Sequence, residues 1–253
     1  MMIKMNLIKY LFCLFYFSVL ISQDTFSIVA VDPITNEVGS AGASCIGGSI
    51  IISDINPGLG VIHTQSWWNP TNQSNASNLM EQGYAPNEII NWLVQNDAQN
   101  NPEDRQYGVV DLVNGGRSAA FTGEACFDYK NHILGSNYAI QGNILLDQSV
   151  LDSMESRFNN TNGSLATRLM SSLQGAKVPG ADIRCLDDGI SSLSAFIRVA
   201  KANDESNFYL DLNVNNITYI IDPIDSLQIL FDNWYQYNPD YIIGDINSDL
   251  IIN

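Results

Sequence analysis

The sequence predicts an α+β fold in which β-sheets pack on each other with helices on the outside. Predicted strands occur as hairpins, and most of the predicted helices occur in pairs between them. This grouping fits packed sheets covered by helices. A strict strand–helix–strand alternation is absent, which argues against a doubly wound parallel sheet.

Two hairpins carry the strand pattern. The segment TFSIVAVD, which begins at Thr25, is rich in β-branched and aromatic residues, and Asp32-Pro33 then gives a type I turn signature. The small residues of EVGSAGASC are predicted to return as the second strand, with room for a close neighbour. Residues 106–113 and 117–122 are predicted as the second hairpin, joined by Asn-Gly-Gly.

The remaining elements follow from spacing and end signals. Pro86 suits a first helical turn, and Gly83 suits the position after a helix end. The polar residues 69–75 are predicted to form a turn-like loop. Further strands are predicted at residues 60–67, 138–145, 194–200 and 208–214. Helices are predicted at residues 77–82, 86–95, 147–158, 165–173 and 224–235.

Residues 1–22 predict a secretory signal peptide. Lys4 and Lys9 give a positive start, residues 10–21 are almost wholly apolar, and Ser22 is a small residue at their end. The apolar run is shorter than the roughly 20 residues of a membrane span, and an uncleaved anchor is the alternative. We therefore expect a secreted protein, extracellular or periplasmic and without membrane attachment after cleavage, whose residues 23–236 form one domain.

The mature chain would be strongly acidic. The signal segment holds two of the 11 Lys and Arg and none of the 27 Asp and Glu, which leaves nine basic against 27 acidic side chains and a net charge of −18 with His neutral. Such a charge repels phosphate backbones, so nucleic-acid binding is not expected.

Three cysteines remain after signal removal, because Cys13 leaves with the signal. In an oxidising compartment this count allows one disulfide and one spare thiol, and three buried thiols are the alternative. Cys45 with Cys185 is the pairing that we choose, and the sequence alone does not fix it.

Familiar catalytic motifs are absent from the sequence: it contains no HExxH, CxxC, GxxxxGK[ST] or GxSxG. His63 and His132 are its only histidines. A lone histidine in an apolar strand, such as His63, is more often a hydrogen-bonded core residue than a base. A hydrolase built on either histidine is the least favoured functional hypothesis.

Thr25 lies just beyond the expected cleavage point, at the start of the first predicted strand. An N-terminal threonine can serve as nucleophile and base together, since its hydroxyl attacks while its own α-amine takes the proton. An α-amine titrates near about pH 7.7–8.0, so much of it is neutral at ordinary pH. The alternative is a threonine that serves only to form the strand.

Five blocks of sequence resemble a known family: TFSIVAVDPITNEVGSAGAS, GVIHTQSWWNP, YGVVD, TGEAC with a histidine shortly after, and YAIQGNIL. In this order they are similar to the DUF1028 family, a domain of unknown function, from about Thr25 to Asn213. That family is grouped with the N-terminal-nucleophile hydrolase-like proteins. The resemblance implies a four-layer αββα sandwich of two antiparallel sheets, and an amidase-type activity on a non-peptide C–N bond.

The resemblance also implies the site residues. Thr25 would be the nucleophile, and Asn143 would contribute to an oxyanion hole, where preorganised donors face developing charge. The other positions would bind substrate or steady the amine, and they are Gln65, Asn69, Glu124, His132, Gln141 and Gly142. Loop capping through side-chain-to-backbone hydrogen bonds is the alternative for Gln141 and Asn143. No cofactor is expected for this domain.

Residues 237–253 are predicted as a linker followed by the start of a dockerin-like calcium repeat. Asp245, Asn247 and Asp249 alternate as the first ligands of an EF-hand-like loop do. Leu250 stands where such loops have glycine, so weak calcium binding is the most that we expect. A solvated acidic tail is the favoured alternative. As part of a longer module, this end would bind a cohesin-like or surface partner.

The sequence is therefore compatible with two functions. The first is a secreted amidohydrolase acting on a small-molecule or cell-surface substrate, with a homo-oligomer as one allowed state. The second is a non-catalytic extracellular binding domain on the same fold. A cut after Ser22 would leave Gln23 and Asp24 ahead of Thr25, and its nitrogen would then be an amide without basicity, which favours the second function.

Overall fold

Two antiparallel sheets lie face to face, and helices cover the outer face of each. The computed structural model of the chain describes residues 25–205, 207–217 and 221–239. Within them the α+β four-layer αββα sandwich is confirmed, since strands of one sheet contact strands of the other and the helices pack on the opposite face of each sheet. The expected signal peptide and the expected calcium loop at Asp245, Asn247 and Asp249 lie outside the described residues.

The strands pair antiparallel throughout both sheets. In chain order they are β1 (Phe26–Asp32), β2 (Glu37–Ser44), β3 (Ser53–Asn56), β4 (Gly60–Gln65), β5 (Gln106–Asp111), β6 (Arg117–Thr122), β7 (Asn131–Leu134), β8 (Tyr138–Gly142), β9 (Ser194–Ala200) and β10 (Leu210–Val214). One sheet has the order β10-β9-β2-β1-β8-β7, and the other has the order β3-β4-β5-β6. Both predicted hairpins are confirmed, as β1–β2 and β5–β6.

The helices are α1 (Pro70–Glu81), α2 (Pro86–Gln95), α3 (Ser149–Asn160), α4 (Leu165–Gly175) and α5 (Pro223–Tyr235). Helices α1 and α2 pack on the four-stranded sheet, and the other three pack on the six-stranded sheet. The ends predicted for α2 are confirmed without change. None of the helices in the described part of the chain combines the length and hydropathy that a membrane span requires.

The prediction of a loop at residues 69–75 is wrong, because helix α1 begins at Pro70. The Asn69 side chain accepts hydrogen bonds from the backbone N–H groups of Thr71 and Asn72, at 2.9 and 3.1 Å, and so caps the helix. Pro70 has the backbone angle that a first helical residue needs. The segment is polar yet helical because its buried polar residue, Asn72, bonds Asp97 beneath the helix.

Apolar side chains fill three layers. Ile28 and Ile140 pack against α3–α5 on one side, and Ile62 and Val109 pack against α1 and α2 on the other. Full burial of each such side chain stabilises the fold by about 1.5–3 kcal/mol. The layer between the sheets is also apolar over most of its area, through Val29, Val31, Val38, Ile55, Val61, Val110, Ala139 and Ala200. Toward the start of β1 this middle layer changes from apolar to polar, and this polar end holds the candidate site.

Cys45 and Cys185 form a disulfide with a Cα–Cα distance of 5.8 Å, the pairing chosen from the sequence. Cys126 lies outside the disulfide and is buried. Its thiol donates to the carbonyl of Arg105 at 3.3 Å.

Candidate active site

Thr25 lies directly before β1 and is fully buried. Its N–H donates to Asn143 Oδ1 at 3.1 Å. Its carbonyl accepts the Asn143 N–H and Gln65 Nε2, each at 3.1 Å. Its hydroxyl has no hydrogen-bond partner among the described residues. The backbone of Thr25 is thus held by hydrogen bonds to its neighbours, whereas its hydroxyl is left available to a substrate.

Strand alternation brings further polar side chains to the same place. Successive residues of a strand point to opposite faces, so Ser27 shares the inner face of β1 with Val29 and Val31. The same alternation on β4, β5 and β8 selects the other inward polar residues, which are His63, Gln65, Gln106 and Gln141. All of them are buried.

The orientation of two side-chain amides follows from their carbonyl partners. Gln106 Nε2 donates to the backbone carbonyls of Asn131 and Gly142, at 3.1 and 2.9 Å. A carbonyl only accepts, so Gln106 Oε1 must face Gln65, whose Nε2 donates to it at 2.7 Å. Gln65 Nε2 also donates to the Thr25 carbonyl, which leaves Gln65 Oε1 as an acceptor.

This orientation also decides where the Ser27 proton lies. The single proton of the Ser27 hydroxyl goes to Gln65 Oε1 at 2.6 Å. Ser27 Oγ accepts from Gln141 Nε2 at 2.6 Å, and His63 Nδ1 lies 2.9 Å from Ser27 Oγ and 3.3 Å from Gln141 Nε2. Because the Ser27 proton is directed to Gln65 and not to His63, this pair does not form an activated serine.

His63 Nε2 is buried and has no hydrogen-bond partner within the part of the chain that the structure describes. Burial first, and then the positive charge of Arg198, lower the pKa of His63 from 6.5 to about 3. The imidazole is therefore neutral across the physiological range. This geometry is that of a hydrogen-bonded core histidine.

Gly108 makes room for Gln141. It lies on the inner face of β5, and a Cβ at this position would overlap Gln141 Oε1 far inside van der Waals contact. Glycine is needed here for space rather than for an unusual backbone angle.

Strained backbone occurs beside both residues that hold Thr25. Ser66 and Trp67, which follow Gln65, both have φ of 54°, and so does Ile144, which follows Asn143. Positive φ is unfavourable for such side chains, above all for a β-branched isoleucine. Strain of this kind persists only where surrounding contacts impose it, and it clusters at functional sites.

A buried ion pair fixes the first strained segment. The Arg105 guanidinium donates to the Trp67 carbonyl and to Asp97, with an Nε–Oδ2 distance of 2.8 Å. Asp97 also accepts from Asn72 Nδ2 at 2.5 Å. Through Trp67, this network anchors the chain directly after Gln65.

Two other positions implied by the family resemblance, His132 and Glu124, are not among the residues that hydrogen-bond Thr25 in the described structure. His132 is half-buried, which lowers its pKa, and its Nδ1 bonds Thr122 Oγ1 at 2.9 Å. Thr122 in turn accepts from Gln106 Nε2 at 2.9 Å, so His132 joins the network only at its far end. Glu124 is exposed.

Two more of these positions serve the backbone. The Asn69 side-chain oxygen is used in capping α1. Gly142 pairs with Phe26 across the β1–β8 ladder, and its carbonyl accepts from Gln106. Ser27 and Gln106 were not predicted from the sequence, although Thr25 and Ser27 extend the alternation of Val29 and Val31 toward the start of the strand.

The fold and the site define a two-sheet α+β sandwich in which a threonine at the start of a central strand is buried among side-chain amides. The chain belongs to the family described as Family of unknown function (DUF1028), whose model matches residues 25–227. The resemblance to DUF1028 found in the sequence is thereby confirmed. A comparison with curated proteins finds no match.

Two solved structures are similar to this chain. A crystal structure of protein SPO2555 from Silicibacter pomeroyi, assigned to the same family, is 24% identical with a TM-score of 0.69, over 84% of this chain and 89% of its own. An Anbu (Gly-1) mutant from Hyphomicrobium sp. strain MC1 is 9% identical with a TM-score of 0.46, over 85% and 96% of the two chains. The first likeness supports the fold.

Proposed function

We propose that this protein is a secreted amidohydrolase of the N-terminal-nucleophile type, which hydrolyses a non-peptide C–N bond with Thr25 as nucleophile. One observation carries the proposal: the buried hydroxyl of Thr25 has no partner among the described residues, while its nitrogen is held by Asn143. The αββα sandwich is the fold that the resemblance to such hydrolases implies. Because a fold alone does not prove an activity, the proposal depends on the site.

In the proposed reaction, Thr25 Oγ attacks the substrate carbonyl, and its proton passes to the α-amine of the same residue. The tetrahedral intermediate then releases the substrate amine, which takes up that proton. The acyl group stays on Thr25 Oγ as an ester. Water, activated by the same α-amine, hydrolyses the ester and restores the hydroxyl.

Asn143 and Gln65 have positioning roles in this scheme. Asn143 Oδ1 would accept one proton of the amine and so orient its lone pair, while Gln65 Nε2 fixes the Thr25 carbonyl. The Asn143 N–H is already bonded to the Thr25 carbonyl. The oxyanion contact that the family resemblance implies for Asn143 would therefore not come from this backbone N–H.

The scheme requires a free amine on Thr25, so Gln23 and Asp24 must be removed after the signal peptide. Intact mass and N-terminal sequencing of the exported protein test this directly. A mature end at Thr25 is expected, and a mature end at Gln23 would rule out this chemistry.

On a panel of amides, Thr25→Ala should abolish hydrolysis, and Thr25→Ser should retain part of it. Thr71→Ala, at an exposed threonine, is the control and should have no effect.

The second candidate is a non-catalytic extracellular binding domain. Gln23 and Asp24, which would remain after a cut at Ser22, favour it. An exported protein that begins at Gln23 and that hydrolyses nothing on the amide panel, with or without Thr25→Ala, would favour this candidate over the amidohydrolase.

Calcium binding at the C-terminal end is a separate proposal. Asp245, Asn247 and Asp249 would supply the oxygen ligands. Calorimetric titration of the full chain with Ca²⁺ tests it, and Asp245→Ala with Asp249→Ala should remove any heat of binding. Equal heats from both proteins would refute it.

A further inference from the structure

The short segment 181–185 connects the two sides of the Thr25 site. At one end, Cys185 is joined by the disulfide to Cys45. Cys45 directly follows Ser44, the last residue of β2, which pairs with β1 in the register Phe26↔Ala43. The same register carried one step further sets Ser44 opposite Thr25. The disulfide is therefore attached to the strand end that flanks Thr25.

The other side of the segment holds the loop that follows β8. The Leu146 N–H donates to the Ala181 carbonyl at 3.2 Å, and the Ile183 N–H donates to the Ile144 carbonyl at 2.9 Å. Ile144 is the strained residue directly after Asn143. The contact of Asn143 with Thr25 thus depends on a loop that is bonded to this segment.

Asp182 joins the two sides. Its carboxylate is fully buried, and Oδ2 accepts the backbone N–H of Cys45 at 2.9 Å. Arg184 donates to the same carboxylate through Nε and Nη2, at 2.9 and 2.6 Å. A buried carboxylate is costly once a partner is lost. Separation of Cys45 from Cys185 would remove one of these partners and would weaken the whole segment.

We propose that the Cys45–Cys185 disulfide is a redox-sensitive clamp that holds Asn143 in place against Thr25. The consequence for activity rests on the proposed function, but the structural claim does not. A dithiol, or two equivalents of a monothiol, would break the S–S bond. Each cysteine sulfur gains one electron and one proton, and the reductant is oxidised to its own disulfide. The oxidised clamp holds the Cα atoms of Cys45 and Cys185 5.8 Å apart and so fixes the segment 181–185 against the end of β2.

Amide hydrogen exchange of the exported full chain tests the clamp without any substrate. The reporters are the N–H groups of Asn143, Ile144 and Leu146, and the reference is helix α2 (Pro86–Gln95) in the opposite layer. After dithiothreitol treatment, with reduction verified by mass, the reporters should exchange about tenfold faster or more while α2 is unchanged. The double variant Cys45→Ser/Cys185→Ser should match the reduced protein and should not respond to the reductant.

Two outcomes would overturn the clamp. Unchanged exchange at Asn143, Ile144 and Leu146 in fully reduced protein would show that the disulfide does not hold the loop. Equal acceleration at these residues and in α2 would show a loss of global stability instead. If a hydrolysed amide is found, reduction should also lower kcat. The absence of any hydrolysed amide would refute the proposed function and would leave the exchange result as it stands.

Discussion

Thr25 and Asn143 hold each other by two hydrogen bonds in opposite directions, each of 3.1 Å. The Thr25 N–H donates to Asn143 Oδ1, and the Asn143 N–H donates to the Thr25 carbonyl. The pair continues the β1–β8 ladder by one step beyond Phe26↔Gly142, with a side-chain oxygen in place of a backbone carbonyl. A nitrogen that would become the catalytic amine is therefore bonded to a group that can only accept.

Asn143→Ala should lower kcat by about 10- to 100-fold, because a misplaced catalytic group costs that much even with its chemistry intact. Asn143→Asp keeps the acceptor and adds a negative charge beside the amine. This charge favours the protonated amine and raises its pKa, so the rising limb of activity against pH should move to higher pH. Hydrolysis rates from pH 5 to 10, measured on an amide that the unaltered protein hydrolyses, test both variants. Asn160→Ala, at the exposed end of α3, is the control, and an unshifted limb in Asn143→Asp would contradict the assignment.

Gly108→Ala should destabilise the fold by about 1–3 kcal/mol, since its methyl group would overlap Gln141 Oε1. If that overlap is the cause, Gly108→Ala should cost less in a Gln141→Ala background. Urea unfolding of the two single variants and the double variant gives the coupling free energy. If the unfolding free-energy costs of the two single variants simply add in the double variant, the methyl group of Gly108→Ala conflicts with a residue other than Gln141.

The fold was largely predictable because periodicity reports burial. Alternation in TFSIVAVD and the turn residues at Asp32 and Pro33 were enough for the first hairpin. The strands β3 and β7 were missed because each has four residues, too few for alternation to stand out. The predicted start of helix α1 was too late because the first turns of the helix are polar. Their buried residue Asn72 bonds Asp97 and Tyr107 instead of packing on apolar groups.

The site was less predictable, because it depends on contacts distant in sequence. Thr25 meets Asn143 across 118 positions, and Ser27 meets Gln141 across 114. A single sequence carries no signal for such pairs beyond the family resemblance. Gln106 was missed because one glutamine at a strand start differs in no local way from an exposed one. Only the fold shows that it joins the Thr25 side of the network to Thr122.

Arg105→Ala should destabilise the protein by about 3–5 kcal/mol, because it leaves the Asp97 carboxylate buried without its ionic partner. The matched control is Lys177→Ala at the half-exposed pair with Asp225, which should cost no more than about 1 kcal/mol. Guanidinium unfolding at neutral pH measures both. Similar costs for the two variants would contradict a structural role for the buried pair.

The same pair predicts acid sensitivity. Burial acts to raise the pKa of Asp97, but hydrogen bonds from Arg105 and from the backbone N–H groups of Asn101 and Gln99 outweigh it and hold the pKa below its usual 3.8. This stabilisation is present above the unfolded pKa and is lost as pH falls toward the lower folded pKa. Stability should therefore decline further below about pH 4. Asp97→Asn should remove that part of the decline, and a decline identical to that of the unaltered protein would exclude Asp97 as its source.

His63 should affect stability in a higher pH window. Its folded pKa of about 3 lies below the ordinary 6.5, so between these values the unfolded chain binds a proton that the folded chain does not. Stability therefore falls as pH drops through this window, by up to about 1.4 kcal/mol per pH unit. His63→Gln keeps a polar side chain beside Ser27 Oγ and has no titrating group, so its unfolding free energy should be flatter between pH 6.5 and 4. His132→Gln, at the half-buried histidine, should flatten the curve less, and equal slopes for the unaltered protein and His63→Gln would show that His63 titrates normally in the folded state.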